Sequence, residues 1–61
     1  MTEGEACRVL QVRPDAHPKV IAAAAMVLRE LALDDPTPGA PRRLAEIDRA
    51  RLVLRAAGRL S

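Results

Sequence analysis

Cys7, His17 and the adjacent carboxylates Asp34 and Asp35 are the side chains of this 61-residue sequence whose types suit nucleophilic, acid–base or metal chemistry. A thiol becomes a nucleophile through a neighbouring base and an oxyanion site, and neither accompanies Cys7 in the sequence. Cys7 therefore reads as a small core hydrophobe. His17 stands alone. Asp34 and Asp35 fall far short of the six to eight oxygen ligands of a cation site, and read as loop carboxylates near a helix end. A single cysteine excludes an internal disulfide framework and a cysteine-based zinc site. No catalytic residue, metal or cofactor is expected, and the chain reads as no enzyme.

The remaining chemistry is electrostatic. Residues 1–38 hold four basic and six acidic side chains, whereas residues 39–61 hold six arginines and two acids. Arg42, Arg43, Arg49, Arg51 and Arg55, with Arg59, form a candidate basic face. Such a face suits an acidic protein or phosphate, or is a solvated surface with pairs inside one helix. The sequence has no aromatic residue to stack on bases, which counts against single-stranded nucleic acid.

The elements that carry these residues must be built from a lean composition. Hydrophobic residues make up 49% of the chain, but twelve of those thirty are alanine and none is aromatic. A chain of this length buries only about 60% of the surface its unfolded form exposes. The expectation is a single domain over residues 1–61, marginal in stability or completed by a partner. The first residues are acidic and polar where a secretory leader would be basic. The longest apolar run, Val20 to Leu28, is far below the roughly twenty residues that span a bilayer. A cytoplasmic chain without membrane insertion is expected.

Three helices separated by proline-rich breaks account for the sequence, and the class is all-α. Thr2-Glu3-Gly4-Glu5 is a capping box that starts a short helix running to about Gln11, with Ala6, Val9 and Leu10 as its apolar stripe. Pro14 breaks it. Pro18, at a first helical position, starts a second helix to about Leu33, with Ile21, Ala24, Leu28 and Leu31 as the core face. Asp34 to Pro41 holds three prolines and one glycine and is a loop. A third helix from near Pro41 buries Leu44, Ile47, Ala50 or Arg51, and Leu54. Glu46 with Arg49 and Asp48 with Arg51 are expected ion pairs. Gly58 ends this helix or leads into a short turn over Arg59 to Ser61.

This layout, a helical hairpin behind a short N-terminal helix, resembles the J-domain of the DnaJ (Hsp40) co-chaperone family. Cys7-Arg8-Val9-Leu10-Gln11-Val12 is similar to the family's Y-x-V-L-G-V opening. Asp15-Ala16 with Ile21, Ala23, Ala24 and Leu28 is similar to its second helix, D-A-x-x-x-x-I-x-x-A-Y-x-x-L. Residues 44–54 are similar to its third, F-x-x-I-N-x-A-Y-x-x-L. The resemblance implies a partnership with an Hsp70 chaperone, whose ATP hydrolysis the family stimulates through a His-Pro-Asp motif after the second helix. That motif falls here on Leu33, Asp34 and Asp35, and only Asp35 agrees. His17 lies at the other end of the same helix and cannot replace the missing histidine. Cys7, Ala25 and Arg51 stand where the family carries aromatics, and Asp48 where it carries asparagine.

Active J-domains present a basic outward face on the second helix. Here Ala22, Ala25, Met26 and Val27 are assigned to that face, with Lys19 and Arg29 at its margins. A helix apolar all round is normally buried on all sides, and two other helices cannot cover it. Ala22, Ala25, Met26, Val27 and Arg29 are therefore the candidate partner-binding residues. The expectation is a degenerate J-domain-like interaction module, a small subunit, assembly factor or regulator of a larger complex, without Hsp70 stimulation. The alternatives are a co-chaperone that works without the histidine, and a small helical nucleic-acid binder using the third helix.

Overall fold

The first helix, α1 (Glu3–Val9), starts at the capping box the sequence announces. The Glu5 N–H donates to Thr2 Oγ1 at 3.1 Å, and the Glu5 carboxylate accepts from the Thr2 N–H at 3.4 Å. Two N–H groups that the helix cannot pair internally are thereby satisfied. The computed structural model describes residues 1–60, in which α2 (Pro18–Asp34) and α3 (Ala40–Ala56) follow, with no strand among the described residues. The architecture is all-α.

α1 stops two residues earlier than expected, and its last turn shows why. Gln11 adopts φ 57°, the left-handed region. Its N–H donates to the Arg8 carbonyl at 3.1 Å, and the Val12 N–H reaches back to Cys7 O at 3.0 Å. This is a Schellman termination, which satisfies carbonyls at the helix end and folds Val12 back against the core. The chain makes the same turn after α3. There Gly58, at φ 75°, donates to Arg55 O, and Arg59 N–H donates to Leu54 O. Arg59 and Leu60 are non-helical, and Ser61, the end of the expected extra turn, lies outside the described residues.

α2 begins with Pro18 at its first position, where the absent N–H costs nothing. His17 caps it, its Nδ1 accepting from the Lys19 N–H at 3.1 Å. The connection to α3, residues 35–39, is short enough to force an antiparallel hairpin. Asp35 Oδ1 accepts from the Thr37 N–H at 2.9 Å, and Asp35 also pairs with Arg43 in the first turn of α3. α1 packs chiefly on α3, as does α2, so α3 is the shared wall.

The core consists of Ala6, Cys7 and Leu10 from the N-terminal segment, Ile21, Ala25 and Ala32 from α2, and Ile47, Ala50 and Leu54 from α3. On α3 this is the expected face, with Ala50 rather than Arg51 turned inward and Leu44 half-buried. On α1, Cys7 replaces Val9 as the fully buried residue, and it packs as the small hydrophobe anticipated. On α2 the expected face needs correction. The buried residues are Ile21, Ala25 and Ala32, with Leu28 half-buried on the same line; Ala24, also half-buried, lies to its side and Leu31 is 61% exposed. Both lines satisfy the 3-and-4 spacing of a helix. Periodicity did not separate them because α2 is apolar on either side of the true face. Turning alanines inward lets α2 approach α3 closely and leaves its larger side chains outside.

Gln11 is the one non-glycine residue with positive φ among the described residues. A left-handed backbone costs an L-residue roughly 1–2 kcal/mol. Gln11→Gly is therefore expected to stabilise the fold by about 1 kcal/mol and raise the thermal midpoint by about 4–8 °C. Thermal unfolding followed by far-UV circular dichroism checks this; an unchanged or lower midpoint contradicts it.

Candidate interaction surface on the second helix

α2 keeps five large hydrophobic side chains substantially exposed: Val20, Met26, Val27, Leu31 and Leu33, of which Met26 is the most exposed at 64%. They do not form one face. Successive residues point about 100° apart around a helix, and Met26 and Val27 accordingly flank opposite sides of the buried line. The expected group of Ala22, Ala25, Met26 and Val27 is divided by the structure, and Ala25 leaves it altogether. At 2% exposure Ala25 belongs to the core and is closed to a partner.

One side is an open groove between α2 and α3 of about 490 Å³. It is lined by Ala22, Ala25, Met26, Arg29 and Glu30 from α2 and by Arg51, Arg55 and Leu60 opposite. The other side is a shallower groove of about 380 Å³, where Val20, Ala23, Ala24 and Val27 meet Leu10 and Gln11. Leu31 lies just beyond it, beside Gln11 and Leu28.

The arginines likewise do not present the single basic face expected of them. Arg51 and Arg55 border the Met26 groove. Arg42 and Arg49 line a separate hollow with Met1, Glu5 and Val9 from the N-terminal segment. Arg43 is bound to Asp35. The helical repeat spreads residues 42, 43, 49, 51 and 55 around α3, because those spacings do not return to one side.

Two arginines hold elements together. Arg29 Nε lies 3.5 Å from Asp48 Oδ1, joining α2 to α3, and Arg51 approaches the same oxygen at 4.0 Å. That oxygen is buried and accepts no hydrogen bond, so these two cations supply its compensation by charge alone. The expected Asp48–Arg51 pair is thus present, while Glu46 and Arg49 form no ion pair among the described residues. Arg59 donates to the Pro14 carbonyl and lies 3.7 Å from Glu3, so it fastens the α1–α2 connection and the start of α1 to the end of α3. Sequence spacing does not reveal such ties, which cross elements distant along the chain.

Leu33 and Asp34 form the last turn of α2, both exposed, and Asp35 caps it. The N–H of Thr37, then the Arg43 guanidinium, hold the Asp35 carboxyl below the ordinary carboxylate range. No imidazole is near, since His17 caps the far end of the helix. Among the described residues no three histidine, cysteine, aspartate or glutamate side chains group as a metal site, and no helix is long and apolar enough to cross a membrane. Comparison with protein-family models, curated proteins and solved structures returns no match for this chain.

Glu5 is also lowered, by the Thr2 N–H first and the Thr2 hydroxyl second. A carboxyl whose folded pKa lies below its unfolded one stabilises the fold above the unfolded pKa, and that contribution disappears as pH falls through the folded value. The thermal midpoint should therefore be flat from neutral pH to about 5 and drop below about 4. The double variant Glu5→Gln, Asp35→Asn should start lower at neutral pH and show a shallower acid decline. An identical acid decline in both proteins contradicts the assignment.

Proposed function

We propose that this chain is a non-catalytic protein-interaction module with a J-domain-like layout, serving as a small subunit, assembly factor or regulator of a larger complex. It docks through the Ala22–Met26 side of α2. The observation that carries this reading is Met26, 64% exposed beside an open groove that Arg51 and Arg55 also line. An apolar anchor ringed by cations suits a protein surface that presents one aliphatic or aromatic side chain beside carboxylates. Arg29 supports the groove by its tie to Asp48 and is a positioning residue as much as a contact.

The order and spacing of the helices support the J-domain-like part of the reading. So does the turn at Gln11, left-handed at the place where the resembled opening carries glycine. The Leu33-Asp34-Asp35 corner supports the absence of Hsp70 stimulation. It contains no imidazole, and its one matching carboxylate is already engaged by Thr37 and Arg43. Division of the arginines between separate grooves and ion pairs favours a protein partner over a nucleic-acid strand, which would need a continuous cationic track.

Met26→Asp places a carboxylate beside the groove at a solvent-exposed site, so the helices should remain folded. Partner association in co-purification from native lysate should weaken at least about tenfold. Retention of the same stoichiometric complex by a folded Met26→Asp protein overturns the docking assignment. In a single-turnover ATPase assay with a cognate Hsp70, no acceleration is expected; measurable acceleration identifies a co-chaperone instead.

A further inference from the structure

The second apolar side of α2 is separate from the Met26 groove, and its charges indicate what it meets. Val20, Ala24, Val27 and Leu31 recur at 4, 3 and 4, a continuous stripe about 16 Å long beside the buried line. Lys19, Glu30 and Asp34 lie along the edge of this stripe that faces the Met26 groove, which Glu30 also lines, and none of the three forms an ion pair among the described residues. Their order opposes the helix's own electrostatics. Lys19 sits in the first turn, where the macrodipole disfavours a cation, and Asp34 in the last, where it disfavours an anion.

We infer that this stripe binds a second copy of the same chain, with the two α2 helices antiparallel about a twofold axis between Ala24 and Val27. That axis sets Val20 against Leu31 and Ala24 against Val27, so a small side chain faces a larger one at the centre. The alanines permit helix axes to approach toward the lower end of the usual 8–10 Å range. It also brings Lys19 of each copy to the acidic end of the other, next to Glu30 and Asp34, in two symmetric ion pairs. In a parallel pair the twofold axis runs along the helices, so the charged edges lie on opposite sides of the interface and Lys19 meets no carboxylate. The arrangement is isologous and closes at two chains. One such stripe buries less than the roughly 800 Å² per partner of a stable complex, so the dimer is reversible and concentration-dependent.

Sedimentation velocity of the full chain from about 10 µM to about 1 mM reads this directly. The weight-average mass of the wild type should rise from 6.6 kDa toward twice that value. Val27→Asp should hold it at the monomer with unchanged circular dichroism. Leu31→Gln, at a 61% exposed position, gives the same readout should the aspartate lower helicity. Lys19→Glu should weaken self-association about threefold or more at low salt, and Lys19→Glu combined with Asp34→Lys should restore it. Both changes agree with the α2 macrodipole, so loss of folding does not explain the first result. A wild type that stays monomeric throughout overturns the inference, as does undiminished association of Val27→Asp. A Lys19→Glu variant that associates as well as wild type overturns the antiparallel arrangement. Met26→Asp should leave self-association intact while abolishing partner capture, which separates this dimer from the function proposed above.

Discussion

The scarcity of large side chains in the core is the constraint on which the remainder of the structure rests. Leu10, Ile21 and Leu54 are the large aliphatic side chains that are completely buried, and they are surrounded by Ala6, Ala25 and Ala50. A core this thin closes only if α2 and α3 come together along their small residues. The larger hydrophobics of α2 are then displaced to its flanks. Burial of apolar area contributes about 25 cal/mol per Å², and much of the available area on α2 goes unused within one chain. The exposed stripes are thus a consequence of how the core is made, and they leave binding surface on both sides of one helix.

Charged residues compensate for the small core by tying elements at their ends. Arg43 closes the α2–α3 connection on Asp35, Arg29 joins the middle of that hairpin through Asp48, and Arg59 draws the N-terminal segment to the end of α3. Each tie keeps at least one partner partly in solvent, so individually it contributes modestly. Their value is geometric: each one fixes two elements at a defined register along the chain. The same use of arginine leaves Arg51 and Arg55 as the cations most available beside Met26.

Much of the fold was legible in the sequence, because its signals are local. Thr2 with Glu5, Pro18, the proline-rich stretch after Asp34 and Gly58 each mark a helix boundary through the chemistry of a single turn. The inward face of α3 is legible except at one position, where spacing alone leaves Ala50 and Arg51 open and packing selects Ala50. The inward face of α2 was not, because Ala24 and Leu31 satisfy the helical period as well as Ala25 and Ala32, and only packing against α3 distinguishes them. That ambiguity carried into the candidate site: Ala25 was assigned to a partner although it is core, and Met26 and Val27 were assigned to one face although they belong to two. The stop of α1 at Val9, two residues short of the expected end, is not legible because glutamine gives no compositional sign of the left-handed turn at Gln11.

The dependence of α1 on α3 rather than on α2 divides the molecule kinetically. The α2–α3 hairpin closes over the five residues 35–39, whereas α1 finds its partner about thirty residues along the chain. Short loops close at lower entropic cost, so closing the hairpin costs less chain entropy than bringing α1 onto α3. Cys7 lies on α1, is the single cysteine and is 1% exposed. Its thiol meets solvent only when α1 departs. The rate at which a thiol reagent reaches Cys7 therefore reports how often the packing around α1 opens.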